Sequence, residues 1–473
     1  MSETLDHWLP DDLLLWLVLG WALYFVVLAC WIVLQRREPL ATLSWLLALA
    51  ALPYLGFLLY YLLGPERIKR HRSRRLRSRA EVARSQGAAP SAAIDGPLLA
   101  LLSHMTGFPP TTCTAVKLLV DGGRTYDHLL QAIAAARNHI HLEYYIFEPD
   151  RTGAMIRDAL AERARAGVEV RLLVDAVGAY RLGDRFLAPL LEAGGEVARF
   201  HPIRLRRIRH PGLNLRTHRK IVVVDGEVAF TGGINICDEN NERRSATAYH
   251  DLHLRLAGEV VRWLQLTFLE DWHYATGAVP RGESLWPRAE PGAVRALVVP
   301  SGPDSELEPI HRTFVEMINA AHRRVWLVTP YFAPGEAGMM ALTSAAMKGL
   351  DVRLLIPRRS DSLVATAVAH SWYDQLLDAG VRVFEYHQRM VHTKALLIDD
   401  DRALIGSANF DHRSFYLNFE IGVVFLDGGV AAQLQALIES DCGDGCEVLA
   451  ERPRPAFHRR LWMAFARLLS PMV

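Results

Sequence analysis

The sequence predicts an α/β protein built from two copies of one domain. Each copy is a mixed sheet flanked by helices, the two are related by a pseudo-twofold, and a two-helix transmembrane hairpin precedes them. Three observations lead there. A polar skeleton occurs twice. It reads His218-x-Lys220-x4-Asp225, Gly232-Gly233-x-Asn235 and Asp251, then His392-x-Lys394-x4-Asp399, Gly406-Ser407-x-Asn409 and Glu420. The apolar and turn pattern around the skeleton is also repeated. Finally, residues 13–63 hold two long uncharged runs, separated only by Gln35-Arg36-Arg37-Glu38-Pro39.

The runs Leu13–Leu34 and Leu40–Leu63 are each long enough, as helices, to cross a hydrocarbon core of about 30 Å. Trp8, Trp16, Trp31, Tyr54, Tyr60 and Tyr61 include several near the ends, where amphipathic rings favour the interface. A signal peptide fits poorly. Glu3, Asp6, Asp11 and Asp12 precede the first run where basic residues would be expected, and the apolar stretch is too long. Pro53 is expected to kink the second span. The short connection makes a tight hairpin, so both flanks share one side of the membrane. Arg67, Lys69, Arg70, Arg72, Arg74, Arg75, Arg77 and Arg79 follow at once, against Arg36 and Arg37 in the turn. The positive-inside rule therefore puts the large C-terminal part in the cytoplasm. The same basic segment is suited to hold anionic headgroups, although a topology signal alone explains it equally well. The expected organisation is a hairpin over 1–64 and a basic segment and linker over 65–97, with Ala80–Gly96 rich in Ala, Ser, Gly and Pro. Two repeated domains follow, at 98–285 and 286–473.

Composition is that of a folded protein, with 51% hydrophobic and 22% charged residues among 473. A formal net charge of +1 gives no global field towards nucleic acid. The five cysteines form no CxxC pair, which argues against a disulfide framework and fits a reducing compartment. Cys442 and Cys446, four apart, have no second ligand pair nearby and read as small packed residues. No metal site is expected.

The repeat extends well beyond the skeleton. Ile140-His-Leu-Glu-Tyr-Tyr-Ile-Phe-Glu-Pro matches Val325-Trp-Leu-Val-Thr-Pro-Tyr-Phe-Ala-Pro, both reading as buried strands entering a loop. Arg165-Ala-Gly-Val-Glu-Val-Arg-Leu-Leu-Val matches Met347-Lys-Gly-Leu-Asp-Val-Arg-Leu-Leu-Ile, a helix stopped by glycine and then a strand. Leu190-Leu-Glu-Ala-Gly matches Leu376-Leu-Asp-Ala-Gly.

Within the skeleton, Ile221–Val224 and Ala395–Ile398 are strand-like. Side chains alternate along an extended chain, so His218 and Lys220 share a face, as do His392 and Lys394. Asp225 and Asp399 end their strands at turns and read as structural. Ala229-Phe-Thr and Ala403-Leu-Ile form return strands. Gly232-Gly233 and Gly406-Ser407 then allow close backbone approach before Asn235 and Asn409. Any one of these residues has an ordinary structural explanation. Duplication preserves apolar pattern easily, but it gives no structural reason to keep His, Lys and Asn together twice.

Two histidines, two lysines and two asparagines converging on one point make a cationic pocket suited to phosphate. The ammonium and amide groups would donate to non-bridging oxygens. One histidine would attack phosphorus and the other protonate the leaving alkoxide. Asp251 and Glu420 are candidates to orient the imidazoles. With no metal-ligand cluster in the sequence, the lysines would do the work a metal does elsewhere, and no cofactor is expected.

These residues resemble the phospholipase D superfamily, marked by a duplicated HxKxxxxD motif followed by GG/GSxN, over essentially all of 100–473. The Arg36-Arg37-Glu38-Pro39 turn, the run Gly406-Ser-Ala-Asn-Phe-Asp-His-Arg-Ser-Phe-Tyr-Leu-Asn-Phe-Glu and the closing Arg467-Leu-Leu-Ser-Pro are similar to those of bacterial cardiolipin synthases. The resemblance implies two phospholipase-D-like domains in a multi-pass protein of the bacterial inner membrane. It implies phosphatidyl transfer between two phosphatidylglycerols, releasing glycerol through a phosphatidyl-histidine without a metal. It places His218, Lys220, Asp225, His392, Lys394 and Asp399 in the catalytic motif, with His218 as nucleophile and His392 as acid/base. Gly233 and Ser407 would lie at the substrate, supported by Asn235, Asn409, Asp251 and Glu420. The copies depart from symmetry at Gly233 against Ser407. They also differ in a longer Asn235-to-Asp251 spacing, whose polar insertion Asn240-Asn-Glu-Arg-Arg-Ser is expected as a rim loop.

Two further stretches fit a lipid substrate. His201–Pro211 alternates basic and apolar residues, as either a membrane-surface segment or a solvated loop. Phe457–Leu469 is amphipathic, as either a surface-lying or a packed helix. A phospholipase D that uses water or another alcohol as acceptor is the alternative reading. A nuclease fits poorly with the near-zero charge and the two spans, and a non-catalytic scaffold with two complete motifs. Oligomeric state and acyl preference are not legible.

Overall fold

A computed structural model describes residues 11–34, 42–43, 46–47, 49–50, 96–201, 215–449, 451, 456–468 and 470. The chain divides into two units, Met1–Lys69 with Leu205–Pro211, and Arg70–Arg204 with Gly212–Val473. In the first unit a helix, α1, spans Asp11–Val33, and Ile32 packs with Leu49. Most of the second expected span lies outside the described residues, as do the basic segment 65–79, most of the linker and residues 202–214. Among the described residues no helix is long and apolar enough to cross a membrane, so the paired hairpin is not established by the fold.

The second unit contains both repeats. Strands β1 (Ile221–Val224), β2 (Val228–Gly232) and β3 (Leu252–Ala257) belong to the first, and β4 (Ala395–Ile398), β5 (Arg402–Gly406) and β6 (Asn418–Leu426) to the second. The first sheet runs Ala115–Val120, β3, β2, β1, His139–Tyr144, Glu169–Asp175, Glu196–Phe200. The second repeats that order as Val294–Ser301, β6, β5, β4, Arg324–Val328, Asp351–Pro357, Arg382–Tyr386. Both sheets are mixed. The motif strands form antiparallel hairpins, and the three strands after them in each order pair in parallel. The expected duplication is therefore present strand by strand.

Period-two alternation explains how each sheet is covered. Ile221 and Val223, like Ala395 and Leu397, enter one core shared by the two repeats. Val222 and Val224 face a core private to the first repeat, and Leu396 and Ile398 one private to the second. The shared core also takes Trp263, Phe268 and Trp272 from the helix Val260–Thr276 and Leu434 and Ile438 from Gly428–Gly443. The motif strands are thus buried on both faces, which suits their β-branched and leucine composition.

Chain order and spatial order part at one place. The helix Pro97–Thr106 packs Leu99, Leu102 and Met105 into the core of the second repeat. Thr111–Cys113 then pairs with Val294–Ser301 at the edge of the second sheet. The first residues of the expected first domain therefore complete the second.

Candidate active site

The two motifs meet through reciprocal main-chain pairing. Arg216-Thr217 runs parallel to Asn418-Phe419, and the amide of His218 donates to the carbonyl of Phe419 at 2.9 Å. Symmetrically, Val391 bridges His250, and the amide of His392 donates to the His250 carbonyl at 2.7 Å. Continuing each parallel register by one residue sets His218 beside Glu420 and His392 beside Asp251, the carboxylates of the opposite repeat. Nδ1 of His218 lies 3.0 Å from each oxygen of Glu420. Nδ1 of His392 lies 2.5 Å from Oδ2 of Asp251. With Nδ1–H given to a carboxylate, each Nε2 carries the free lone pair.

Lys220 and Lys394 are fully or almost fully buried. Nζ of Lys220 donates to the His218 carbonyl at 2.7 Å. Nζ of Lys394 donates to the His392 carbonyl and lies 2.8 Å from His392 Nδ1. Burial is the main cause bringing Lys220 down to about 7 and Lys394 to about 8. Glu420 and Asp251 oppose that fall in both lysines. Burial also holds His218 down, to about 4, against the pull of Glu420 and with help from the lysines. His392 is lowered by burial and by Lys394. Burial alone would raise Glu420 and Asp251, but the neighbouring cations and hydrogen bonds leave both below the usual carboxylate range. The site is thus two neutral imidazoles backed by two carboxylates and flanked by two poised amines.

The Gly233/Ser407 asymmetry follows from the carboxylates. A Cβ on Gly233 would lie 2.2 Å from Oδ1 of Asp251, so the short aspartate occupies the space a side chain would need. The longer Glu420 leaves room for Ser407, whose hydroxyl donates to Oε2 at 2.5 Å and accepts from the Ile421 amide at 3.0 Å. Glycine precedes both because β2 and β5 pass very close to the returning strands. A Cβ on Gly406 would lie 2.3 Å from the Ile421 carbonyl oxygen. Asn235 and Asn409 are buried nearby in sequence. Oδ1 of Asn235 accepts weakly from the Ile146 amide at 3.4 Å, and the amide of Asn409 donates to Ser414 Oγ at 3.1 Å.

Asp225 and Asp399 are a correction to the catalytic set. Each stands beyond the far end of its four-residue strand with a positive φ, 54° and 51°. Asp225 accepts from the amides of Arg137, Asn138 and His139 at 2.7–2.9 Å. Asp399 accepts from those of His322, Arg323 and Arg324 at 2.7–3.1 Å. Both carboxylates fasten the hairpin to the start of the neighbouring strand. The insertion after Asn240 is a second correction. Asn240 and Asn241 are buried. The Glu242 carboxylate accepts from the Gly123 amide at 2.9 Å, and Arg243 pairs with Asp127 through both nitrogens. The segment therefore packs on its own repeat and does not form a free rim.

Several neighbours lay outside the motif pattern. The Tyr145 ring is edge-on to His218, with centroids 5.0 Å apart, and Tyr249 lies 5.2 Å from His392. Tyr145 is within the repeated strand-to-loop run, but Pro330 stands opposite it in the second copy, so the repetition did not mark it. Arg219, on the parity of the shared core, is buried against Asp271 and donates to the Glu420 and Ser301 carbonyls at 3.0 Å. His250 is bracketed by Asp121 and Asp441 at 2.9 Å each. Nothing local in sequence marks Arg219 or His250.

Comparison with known proteins supplies the family. A family model described as cardiolipin synthase, PLD-like domain, matches residues 129–272 and 314–442. The chain is 38% identical to a cardiolipin synthase of Alkalihalophilus pseudofirmus over 457 residues, 93% of this chain and 90% of the relative. The chain belongs to the cardiolipin synthase family of phospholipase-D-like proteins. Cardiolipin synthase 1 of Bacillus anthracis is 36% identical over 96% of this chain and 93% of its own length. Residues 21–65 match a second model, phospholipase D-nuclease N-terminal. Among solved structures, a phosphatidylserine synthase of Haemophilus influenzae aligns with a TM-score of 0.60 at 14% identity, over 80% of this chain and all of that one, a likeness of fold. For this cardiolipin synthase family member, as for the site itself, the duplicated domain is the common element.

Proposed function

We propose that the enzyme is a cardiolipin synthase that moves a phosphatidyl group from one phosphatidylglycerol to another. The observation that carries the reading is the crossed pair of histidine–carboxylate contacts, His218–Glu420 and His392–Asp251, with Lys220 and Lys394 alongside. Nε2 of His218 attacks phosphorus, the bond to the glycerol oxygen breaks, and His392, having taken up a proton on Nε2 beside Asp251, delivers it to that oxygen. The second phosphatidylglycerol then loses a hydroxyl proton to His392. Its oxygen attacks the phosphatidyl-histidine, forming cardiolipin and freeing His218. The lysines neutralise the non-bridging oxygens throughout. The positions of Asn235 and Asn409 fit amide donation to the same oxygens, and Gly233 and Ser407 set the carboxylates.

The residues 13–34 and 40–63 are proposed as a membrane hairpin, with the catalytic part on the cytoplasmic side of the bacterial inner membrane. The uncharged runs and the basic segment after them support this placement. The test is incubation of the purified full chain with labelled phosphatidylglycerol. Cardiolipin and glycerol in equal amounts are expected. Phosphatidic acid without cardiolipin would replace the synthase reading with a phospholipase D.

A further inference from the structure

The C-terminal helix Phe457–Leu468 is seated on the second repeat by one narrow edge. Ala466 is fully buried and Met463 partly so, in the core that also holds Val364, Val368 and Trp372 of the adjoining helical region. Arg467 lies over the Trp372 ring at 3.5 Å. The rest of the helix faces outward, and one stripe of it is apolar. Phe457, Leu461, Phe465 and Leu468 recur every three or four residues and are 78%, 60%, 54% and 75% exposed. Trp462 stacks beside Phe465 at 6.2 Å. Solvent-facing helices ordinarily show the reverse arrangement.

Charge and position identify what covers this face. The helix sequence FHRRLWMAFARL contains no acidic residue and three arginines, which complements an anionic surface. It packs along the helix Leu363–His370, whose first residue Leu363 is 82% exposed. Two residues before Leu363, Asp361 accepts from the Tyr331 hydroxyl at 2.7 Å and acts electrostatically on Lys394. The helix that seats the C-terminal helix therefore begins, at Leu363, two residues from a carboxylate that acts on the active-site lysine.

We propose that this outward face, with Leu363, docks the catalytic part of the enzyme on an anionic phospholipid bilayer beside the active site. The proposal rests on the reading that the substrate is a bilayer phospholipid. Arg459 and Arg460 meet headgroups while the apolar stripe enters the interfacial layer. The occupant is the bilayer and not a second copy of the chain.

The test uses the full chain in vesicles of phosphatidylglycerol and phosphatidylcholine, with photoreactive benzoylphenylalanine in place of Phe465. Irradiation should yield a lipid adduct. An adduct to a second copy of the chain, or no lipid adduct, would overturn the proposal. In parallel, Leu461→Ser with Phe465→Ser should lower turnover of vesicle phosphatidylglycerol by about tenfold. Turnover of a monomeric short-chain phosphatidylglycerol should be unchanged. Equal loss on both substrates, or loss on neither, would also overturn it. Release of phosphatidic acid in place of cardiolipin would remove the synthase reading while leaving the lipid adduct intact.

Discussion

Around His218 the carboxylate is Glu420, which shares both oxygens with the imidazole and accepts from Ser407 and from Asn418 Nδ2 at 3.2 Å. Around His392 it is Asp251, held at 2.5 Å, with the Leu252 amide donating at 2.7 Å and Lys394 pressed against the same imidazole. The residue before Glu420 is Phe419, buried in the shared core. The residue before Asp251 is His250, buried between two carboxylates. One backbone plan thus carries two electrostatic settings. The Glu420 side spreads its negative charge over several donors and keeps a neutral imidazole oriented. The Asp251 side gives one oxygen to a short imidazole contact and the other to a backbone amide, which suits a histidine that must take and give a proton. A duplicated site can specialise its halves without moving the strands.

The largest expected effect separates the roles. His218→Ala and His392→Ala should each lower turnover of phosphatidylglycerol by at least about 10³-fold. A phosphatidyl ester with an activated phenolic leaving group needs no proton on departure. With that substrate His392→Ala should still form a labelled phosphatidyl-enzyme in a single burst, whereas His218→Ala should form none. A burst from His218→Ala and none from His392→Ala would reverse the two halves.

Next comes the carboxylate environment. Gly233→Ser places an atom on Asp251 and should displace it, lowering kcat by about 10²-fold. Ser407→Ala removes one hydrogen bond to Glu420 and should cost about tenfold. Steady-state kinetics of the two variants, with folding checked by circular dichroism, would expose the comparison as false if Ser407→Ala were the more damaging.

The duplicated hairpins, the His–Lys facing and the pocket's phosphate chemistry were legible because they depend on local alternation and repetition. The exchange of carboxylates was not. Whether Asp251 serves His218 or His392 depends on parallel pairing of Arg216-Thr217 with Asn418-Phe419, a contact between residues some two hundred positions apart. Asp225 and Asp399 read correctly as turn residues from their position after the strand. Their membership of the family motif pointed the other way, towards catalysis, and three backbone amides on each carboxylate show the physical reason for their presence. The insertion Asn240–Ser245 looked like a rim because it is polar. Asn241, Glu242 and Arg243 instead contact Thr152, Gly123 and Asp127 of their own repeat.

A smaller and more graded effect should appear in pH profiles. The lysines act as ammonium groups, and deprotonation removes that charge as pH rises through about 7 for Lys220 and about 8 for Lys394. The alkaline limb of kcat/KM should therefore begin near neutrality, below the ordinary lysine range. Bound phosphate favours the charged form, so the limb in kcat should lie at higher pH. With His218 at about 4, the nucleophile stays neutral through mildly acidic pH. Coincident alkaline limbs in kcat and kcat/KM would remove the lysines from phosphate binding.

The least direct effect concerns the link that only the Asp251 half possesses. Burial would lower the pKa of His250, but Asp121 and Asp441 outweigh it and raise the group to about 9. Arg389 from the second repeat joins through Asp121 at 2.6 Å, so the cluster ties the repeats beside the acid histidine. An unfolded histidine titrates near 6.5. The proton on His250 therefore stabilises the fold fully below that pH, and the contribution is lost as pH rises through about 9. It amounts to about 3 kcal/mol at most. Chemical denaturation should show the stability advantage of the wild type over His250→Gln declining between about pH 6.5 and 9; the buried lysines push stability the other way in both proteins and cancel in that difference. Identical slopes in the two proteins would mean that the cluster does not hold its proton. The asymmetry between the halves would then lie in Asp251, Lys394 and Ser407 alone.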